Sequence, residues 1–522
     1  MGAANTQTLS VRNTWFYALF IALLYTVVYG YLFNSGDQAE HLPQVYHSLN
    51  HTLYQGDFFI GEYMKGFTIR DYYVFVVALL SRFITTEWVC FILHIFTLAF
   101  SAFGIFKITQ TLSNSKIAPF VAPILALIIF RNFTVGGNAV HEVQFISSSL
   151  AWPLVTWAFY KLLTEKYVAA TAFAGFAVLA QPLIGLQAFL VIFAIIIIRS
   201  KRIFFGTIIY SFIAFFAASV LMLSPLLLRQ FLTQGNVDSP LYMQLLYGFR
   251  NYHHYIPHLF PKTDYILFVI LLIPGTALLL RQKTSEAKTI KMLFGLIVAG
   301  LLFYTYCMET QTLYGIGKLQ WFKTTVWLTL FSSIFVAIAF STWIEKISPP
   351  LFGRGGRGVR LFLLATSALL VFFITNSSIL KGFDEKYQIG NYTKSSRTKL
   401  FEWIEKNTPT NAVILVSPDD DSFACIAKRP QPVSFKAIIH EPKFMLKWYD
   451  RVMEIYGITV EECIDKNAGQ MASSRYKERN YKEHITQAIT ITYRVDNLQT
   501  CQYAADLGPI VHQEGDWVIT VF

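Results

Sequence analysis

Residues 15–43 read WFYALFIALLYTVVYGYLFNSGDQAEHLP, an apolar run that gives way at Asn34 to a polar and acidic segment. A helix needs about 20 mostly apolar residues to cross the hydrocarbon core of a bilayer. Trp15–Phe33 has that length, Arg12 is the only cation before it, and no cleavage site of small residues follows it. We therefore predict an uncleaved signal anchor, followed by a long loop that starts at the membrane surface.

The composition of the whole chain is that of a polytopic membrane protein. Of its 522 residues, 54% are hydrophobic, 16% are aromatic and only 14% are charged, whereas soluble domains carry about 25% charged residues. This excludes a disordered chain, a nucleic-acid-binding module and an ordinary cytosolic enzyme. The net charge of +11 comes from the apolar part of the chain, so it indicates membrane topology and not a nucleic-acid partner.

Charge density divides the chain near Lys381. Residues 381–522 carry 18 Lys and Arg with 19 Asp and Glu, whereas the much longer stretch 1–380 carries 25 and 13. We predict a transmembrane domain over residues 1–380, which includes a long first outer loop at residues 34–87. We predict a small soluble α/β domain over residues 381–522, called the tail below.

Eleven apolar runs make the transmembrane domain an all-α bundle of about eleven helices. Several runs are shorter than 20 residues, so they are expected to be tilted or buried among neighbours. The stretch 167–198 is interpreted as a hairpin of two short helices that turns at Gln181–Gly185, because Pro182 and Gly185 interrupt it. The runs are Trp15–Phe33, Trp88–Phe106, Ile117–Phe130, Ser147–Tyr160, Tyr167–Ala180, Leu183–Ile198, Ile203–Leu228, Tyr265–Leu280, Met292–Cys307, Trp321–Trp343 and Leu361–Leu380.

Charge asymmetry sets the orientation of these helices. Basic residues concentrate on the cytoplasmic side of membrane proteins. With eleven spans and an inner N-terminus, 16 of the 25 cations before residue 381 fall inside. Tyr72–Ile84 is an ambiguous run, but a twelfth span there would invert everything after it. We therefore interpret it as a helix lying on the outer face, and we expect the tail to be extracytoplasmic.

The tail has the alternating pattern of an α/β domain. Helices are predicted over Lys399–Asn407 and Pro442–Tyr456, and strands over Ala412–Val416 and Trp517–Phe522. The acids at 419–421 form either a solvated turn or a site for a divalent cation. Cys425, Cys463 and Cys501 could include one disulfide, since an extracytoplasmic domain faces an oxidising compartment.

The first outer loop carries the leading catalytic candidates. Asp37 comes four residues after the first span, where apolar walls would desolvate its carboxylate and raise its basicity. Such a group can accept a proton from an acceptor hydroxyl, or help hold a metal. Glu40 and His41 lie one helical turn further on. The alternative is structural, with Asp37 starting a helix over Ala39–Leu49.

At this point the chain resembles the GT-C class of membrane glycosyltransferases and, more narrowly, a bacterial family of uncharacterised polytopic proteins of that type. The resemblance implies an integral protein of the bacterial inner membrane, with Asp37 as the expected base or metal ligand. The Trp-Trp-Asp signature of oligosaccharyltransferases is missing, so that branch is not expected. The segments that carry the resemblance are Gly36–Pro43, Leu53–Phe58, Gly136–Glu142, Gln181–Gly185 and Trp403–Asp420.

The resemblance implies sugar transfer from a polyprenyl-phosphate donor, whose lipid lies among the helices. Cations must neutralise the leaving phosphate. Arg250, Lys318 and Lys323 are the candidates, and the alternatives are interfacial snorkelling for the lysines and an aromatic belt around Arg250. His141 and Glu142 lie in the second outer loop, Arg131–Ile146. They either join Asp37 in one cavity or only close the loop.

Other readings of the same pattern stay open. Histidines such as His47 and His51 lack acidic or cysteine partners at ligand spacing, so no metal site is assigned from spacing, and a divalent ion is only a candidate cofactor. The competing functions are a transporter or flippase for a lipid-linked or polar substrate, and a non-catalytic membrane scaffold. An enzyme should gather Asp37, a second-loop group and a cation around one pocket. The sequence does not specify the oligomeric state.

Overall fold

The computed structural model describes residues 11–199, 203–232, 240–311, 313–347, 387–390, 395–463, 467–478, 485, 489–502 and 507–522. The predicted span Leu361–Leu380 and the predicted domain boundary at Lys381 lie outside these residues. The helices before residue 348 are α1 (Val11–Tyr29), α2 (Asp37–Leu49), α3 (Phe58–Tyr63), α4 (Asp71–Leu80), α5 (Thr86–Leu112), α6 (Ala118–Ile124), α7 (Ser147–Leu163), α8 (Tyr167–Ala180), α9 (Pro182–Ile198), α10 (Phe205–Leu232), α11 (Pro240–Met243), α12 (Tyr252–Tyr255), α13 (Lys262–Arg281), α14 (Ser285–Glu309), α15 (Tyr314–Gly317) and α16 (Thr325–Ile347).

Five of the described helical segments are long and apolar enough to cross a membrane: Thr86–Leu112, Phe205–Arg229, Lys262–Arg281, Ser285–Glu309 and Gly315–Ile347. Four further apolar helices have 10–17 residues, at Asp71–Leu80, Ala118–Ile129, Tyr167–Ala180 and Pro182–Ile198. Large apolar side chains on α10 are exposed, as lipid contact requires. The chain is therefore a predominantly helical membrane protein, and the number of eleven spans stays a prediction.

The first predicted span ends earlier than its composition indicates. Helix α1 stops at Tyr29, and Gly30 follows with a φ of 82°. A positive φ is inexpensive for glycine and ends a helix. Tyr31 and Leu32 then form strand β1 instead of a last helical turn. They pair in parallel with strand β2 (Tyr387–Gln388), which ties the end of the first helix to the chain just before the tail helices.

The apolar stretch 167–198 forms two helices, as predicted. Helices α8 and α9 meet at Gln181, which ends one and precedes the other. Gly185 lets them pack closely, because a Cβ at this position would lie 2.4 Å from the backbone nitrogen of Val178. The turn is therefore shorter than the five residues expected, and it places Gln181 at one end of the helical bundle.

The described part of the tail is a small α/β unit, and all four elements expected there are present. Its helices are α17 (Ser396–Asn407), α18 (Phe423–Ala427), α19 (Pro442–Tyr456) and α20 (Ala468–Glu478). Its strands are β3 (Ile414–Leu415), β4 (Tyr493–Asn497), β5 (Ile510–Glu514) and β6 (Trp517–Val521), in the sheet order β3-β4-β6-β5. Strands β3 and β4 are parallel, and the other two pairs are antiparallel.

The tail is fastened to the first outer loop by backbone and side-chain hydrogen bonds. Asp57 accepts a hydrogen bond from the backbone N–H of Gln431 at 2.9 Å. The hydroxyl of Tyr54 donates to the carbonyl of Ala424 at 2.8 Å. The amide of Asn34 donates to the carbonyl of Ser422 at 3.2 Å. The loop and the tail therefore form one packed layer, and the tail is not a separately tethered module.

The structure bears on two sequence expectations for the tail. All five cysteines are free and buried, so the structure contains no disulfide among Cys425, Cys463 and Cys501. In the acidic run, Asp420 is buried and pairs with Arg397 at 2.7 Å, whereas Asp419 and Asp421 are exposed, as in a solvated turn. Among the described residues, no three His, Cys, Asp or Glu side chains meet in a group that could hold a metal ion.

Candidate active site between the outer loops and the tail

A polar cavity of about 190 Å³ lies where the two outer loops, the segment around Arg250, the start of the last described long helix and the tail come together. Six of the eight candidate residues from the sequence line it: Asp37, Glu40, His41, Glu142, Arg250 and Lys323. The remaining two, His141 and Lys318, do not line it. The tail adds Lys436, Ile438 and His440 to the wall.

Asp37 opens into this cavity and has a cation as its partner. Its Oδ1 accepts a hydrogen bond from Nζ of Lys436 at 3.1 Å, and 58% of the Asp37 side chain is exposed. Burial within the cavity would raise the pKa of Asp37. The Lys436 ammonium, through its charge and its hydrogen bond, outweighs that effect and holds the pKa well below its usual range. The carboxylate is therefore ionised at neutral pH.

Local backbone geometry sets where Asp37 points. Helix α2 begins at Asp37 itself, two residues earlier than predicted, after Gly36 with a φ of 51°. A Cβ at Gly36 would lie 2.6 Å from the amide nitrogen of Gln144. Gln38 accepts a hydrogen bond from the backbone N–H of Asn34 and donates one to the carbonyl of Phe145. The start of α2 is therefore held rigidly against the second outer loop.

Glu40 also lines the cavity, but its charge is already neutralised. It forms an ion pair with Arg70 in which both side chains are only 9% exposed. Its Oε1 also accepts a hydrogen bond from the backbone N–H of Ile438 at 3.1 Å. Arg70 in turn donates to the Ile438 carbonyl at 3.1 Å. Glu40 therefore joins the first loop to the tail, a structural role that the sequence did not indicate.

Two histidines in the cavity wall are neutral. Burial lowers the pKa of His41 to about 3, and the nearby Arg70 guanidinium adds to this effect. His41 packs on the ring of Tyr73, and its Nδ1 has no hydrogen-bond partner in the structure. The pKa of His440 is also lowered, by desolvation and by the nearby cations Arg70, Arg250 and Lys323, although its side chain is exposed. Neutral imidazoles can donate or accept hydrogen bonds to a bound substrate without adding charge.

The second outer loop contributes a second carboxylate to the cavity. Burial raises the pKa of Glu142, and Arg131 at 4.0 Å partly opposes that increase. The neighbouring His141 is completely buried and packs edge-on against His94, a residue of the fifth helix. Its carbonyl accepts hydrogen bonds from Tyr25 and Arg131. Of the predicted pair, Glu142 faces the cavity and His141 closes the loop.

The predicted cations divide in the same way. Lys323 lines the cavity, and its ammonium makes no ion pair with any residue that the structure describes. Arg250 lines it too, and its guanidinium donates to the carbonyls of Phe435 and Lys436. It forms no ion pair with a described residue, although the charges of Glu40, Asp421 and Asp37 act on it. Lys318 lies elsewhere, exposed over the ring of Tyr242. Within the part of the chain that the structure describes, the cavity thus has two cations that form no ion pair.

A helix terminus adds to this positive potential. Ile146, Ser147 and Ser148 line the cavity at the start of α7, a helix of 17 residues. The first backbone N–H groups of a helix lack internal partners and attract anions. Because Lys323 lines the same cavity, the cavity suits a phosphate group.

Several cavity residues were absent from the sequence candidates. Lys436 and His440 lie in the tail, which looked like a separate soluble unit because of its charge density. Arg70, Asn251 and His254 also line the cavity. The Nδ1 of His254 contacts the carbonyl of Gly136 at 3.2 Å. No spacing rule links these positions, because they meet only through tertiary packing.

Comparisons with known proteins leave the function open. Residues 396–455 match the model of a domain of unknown function, DUF6798, and this segment includes Lys436 and His440. No curated protein matches the chain. Among solved structures, the chain is similar to the oligosaccharyltransferase of Archaeoglobus fulgidus in its apo form, with 11% identity and a TM-score of 0.47.

Two further structures from the same organism show a similar likeness. One is the oligosaccharyltransferase AglB in complex with an inhibitory peptide and a dolichol-phosphate, with 12% identity and a TM-score of 0.45. The apo and AglB comparisons each cover 94% of this chain and 70% of the other. The third is the oligosaccharyltransferase in complex with Zn and sulfate, with 12% identity and a TM-score of 0.43. That comparison covers 93% of this chain and 68% of the other. TM-scores below 0.5 are too low to assign a function. The function is therefore inferred from the residues of the cavity.

Proposed function

We propose that the protein is an integral membrane glycosyltransferase, which transfers a sugar from a polyprenyl-phosphate-linked donor to an acceptor hydroxyl on the outer face of the membrane. One observation carries the proposal. A cavity at the junction of the outer loops holds an open, ionised carboxylate, Asp37, together with two cations, Lys323 and Arg250, that form no ion pair among the described residues. A group-transfer site for a phosphate leaving group needs both features.

The cationic part of the cavity would hold the donor phosphate. Lys323 and the N–H groups at the start of α7 supply positive charge, and Lys323 forms no ion pair with a described residue, although the charges of Asp37 and Glu142 act on it. In a cavity with restricted water, such fixed charges stabilise the phosphate oxygen as it accepts the bonding electrons. Apolar side chains of Ile69, Trp152 and Ile184 also line the cavity, and they would contact the first units of the lipid.

Asp37 is proposed as the general base. The acceptor hydroxyl attacks the anomeric carbon of the sugar, and its proton passes to the Asp37 carboxylate. The bond between that carbon and the phosphate oxygen breaks, and the electron pair stays on the polyprenyl phosphate. General-base catalysis of this kind contributes about 10²- to 10⁴-fold in rate.

The remaining candidates receive different roles in this proposal. Glu142, with its raised pKa, would bind a substrate hydroxyl. Neutral His41 and His440 would hydrogen-bond the sugar or the phosphate. Glu40 would position the tail segment and not act as a base. His141 and Lys318 are left out of the site, because neither side chain lines the cavity.

The location of the site follows from the charge asymmetry of the sequence. We propose that the cavity and the tail face away from the cytoplasm, at the bacterial inner membrane, where a polyprenyl-phosphate sugar would be available. A divalent ion is not part of the proposed step, because the described residues do not bring three ligating side chains together.

The proposal can be tested by sugar transfer in proteoliposomes. Purified full-length protein is supplied with a panel of polyprenyl-phosphate hexoses, and both release of polyprenyl phosphate and transfer to membrane or glycan acceptors are measured. We expect turnover with at least one donor. Lys323→Met should lower kcat/KM by about tenfold or more, while Lys318→Met, a matched lysine outside the cavity, should not. Equal loss in both variants would argue against the cavity as the phosphate site.

A transporter would give a different result in the same vesicles. It would move the lipid-linked sugar between leaflets without releasing polyprenyl phosphate. A scaffold would do neither.

A further inference from the structure

Lys436 and Asp37 form a polar contact between the tail and the predicted base. The distance between Nζ of Lys436 and Oδ1 of Asp37 is 3.1 Å, and both side chains are open to the cavity, with 26% and 58% of their surfaces exposed. Within the described part of the chain, neither makes another ion pair. Each is therefore the ion-pair partner of the other while the cavity holds no substrate, and the Lys436 charge also acts on Asp421.

The backbone that carries Lys436 is held in place from several sides. Arg250 donates to the carbonyls of Phe435 and Lys436 at 2.9 and 3.1 Å. Two residues on, the Ile438 N–H and carbonyl bond Glu40 and Arg70. The backbone of this segment is thus fixed, whereas the long Lys436 side chain is half-buried and keeps its rotatable bonds.

A carboxylate that is paired with an ammonium is a poor base. The hydrogen bond and the positive charge both stabilise its ionised form, so it accepts a proton less readily. The proposed chemistry needs Asp37 to accept one. A donor phosphate in the same cavity would compete for the ammonium, because charge-assisted hydrogen bonds to phosphate oxygens are strong.

We propose that Lys436 exchanges partners: it pairs with Asp37 in the empty site and with the donor phosphate in the loaded site, so that donor binding releases the Asp37 carboxylate to act as a base. This inference rests on the proposed function and adds the regulation of its base. It makes Lys436 a residue of the site that is supplied by the tail. It also orders the events, since the base becomes available only after the phosphate is bound.

The exchange can be measured as a double-mutant cycle on binding. The probe is undecaprenyl phosphate, titrated into full-length protein in nanodiscs. Asp37→Asn removes the competitor for Lys436, so we expect it to bind the probe about two- to tenfold more tightly than the wild type. Lys436→Met should weaken binding about tenfold, and the double variant should bind like Lys436→Met alone. Lys436→Arg, which keeps the charge, should retain most of the affinity.

A matched control separates this effect from general tail damage. Lys447 lies on the same tail and pairs with Glu62 at 3.2 Å, away from the cavity, with 56% of its side chain exposed. Lys447→Met should leave the affinity unchanged, and an equal loss in this variant would overturn the assignment of Lys436.

The outcomes distinguish the exchange from the proposed function. If the wild type does not bind undecaprenyl phosphate, the phosphate site and the exchange both fail. If the wild type binds it and Asp37→Asn abolishes sugar transfer, but the Asp37→Asn affinity is unchanged or weaker, then only the exchange is overturned. A tighter complex in Asp37→Asn that disappears in the double variant supports the exchange, because a merely structural contact would weaken binding when broken.

Discussion

Two ion pairs on helix α2, three residues apart, show how one helix carries both a structural and a proposed catalytic carboxylate. Glu40 and Arg70 are each 9% exposed and bond the backbone of Ile438 as well. Asp37 and Lys436 are 58% and 26% exposed and face the cavity. Each pair joins a carboxylate to a cation, and all four residues line the cavity. What differs is how far the side chains are exposed.

The difference matters because burial changes what an ion pair does. Removing one partner of a buried pair leaves an uncompensated charge and costs about 3–5 kcal/mol. An exposed pair contributes only about 0–1 kcal/mol, so it can open during a reaction at little cost. Glu40 therefore stabilises the junction of loop and tail, whereas Asp37 is available for chemistry.

The largest expected effect follows from removing the open carboxylate. Asp37→Asn should lower the rate of sugar transfer about 10²- to 10⁴-fold, because the acceptor proton loses its base. The melting temperature should stay near that of the wild type, since an exposed ion pair adds little stability. Transfer assays and thermal unfolding on the same preparation check both parts. A large drop in melting temperature would make Asp37 structural, like Glu40.

The buried pair should respond in the opposite way. Glu40→Gln leaves the Arg70 guanidinium buried without a counter-charge, and we expect a loss of about 3 kcal/mol in unfolding free energy. The double variant Glu40→Gln with Arg70→Met should regain part of that loss, because no charge is then left unpaired. Thermal or denaturant unfolding in detergent measures it. Unchanged stability in Glu40→Gln would remove the contrast between the two pairs.

Asp57 extends the comparison to a carboxylate without an ion pair. It caps α3 by accepting from the Ile60 N–H at 2.9 Å, and it accepts from Gln431 of the tail. Asp57→Ala should cost about 2 kcal/mol, through the lost cap and a buried N–H without a partner. Unfolding experiments should show this loss. Asp57→Asn, which keeps one acceptor oxygen, should cost less.

Burial also gives Asp57 a pH signature. Burial raises its pKa to about 6, so the folded state holds its proton more tightly than the unfolded state does. Its contribution to stability is therefore present below a pH of about 4 and decreases as the pH rises to about 6. The Asp57→Asn variant should lack this decrease, and unfolding measured across that interval would show it.

Removing Lys436, the cation that pairs with Asp37, should shift the pH dependence of kcat/KM. Lys436 lowers the pKa of Asp37, which keeps the base ionised well into acid. In Lys436→Met that pKa rises toward the ordinary value for aspartate, so transfer should begin to fall at a higher pH as the solution is acidified. The pH dependence of kcat/KM checks this. An acid limb that does not move would mean that Lys436 does not act on Asp37.

The smallest effect is expected at Lys318, the predicted cation outside the cavity. Its ammonium lies over the ring of Tyr242 at 5.7 Å. Lys318→Met should change kcat/KM by less than about twofold, because an exposed cation–π contact contributes about 0.5–1 kcal/mol to stability and none to the phosphate site. A tenfold loss would place the phosphate site elsewhere.

The sequence predicted those features that depend on neighbouring residues in the chain. It did not predict those that depend on tertiary packing. Apolar length and the Pro182–Gly185 interruption predicted the helical hairpin, and the acidic start of the first loop located Asp37, Glu40 and His41 beside one cavity. The same reasoning could not separate Asp37 from Glu40. Their different burial depends on a tail segment that lies nearly 400 residues away.

Other misses have the same physical origin. The apolar composition predicted a first span that reaches Phe33. Gly30 has a positive φ and ends the helix, and Tyr31 then pairs with Tyr387. The high charge density of the tail predicted a soluble domain. It gave no indication that Lys436 of the tail lines the cavity. His141 and Glu142 are adjacent in sequence, and only the fold shows that one side chain is buried and the other faces the cavity.

The most direct test of the account compares Asp37→Asn with Glu40→Gln in one sugar-transfer assay, with rates normalised to folded protein. The account predicts that Asp37→Asn is folded and at least about 100-fold slower than the wild type, while the folded fraction of Glu40→Gln transfers sugar at close to the wild-type rate. Wild-type transfer by Asp37→Asn would contradict the central claim that Asp37 is the base of a glycosyltransferase.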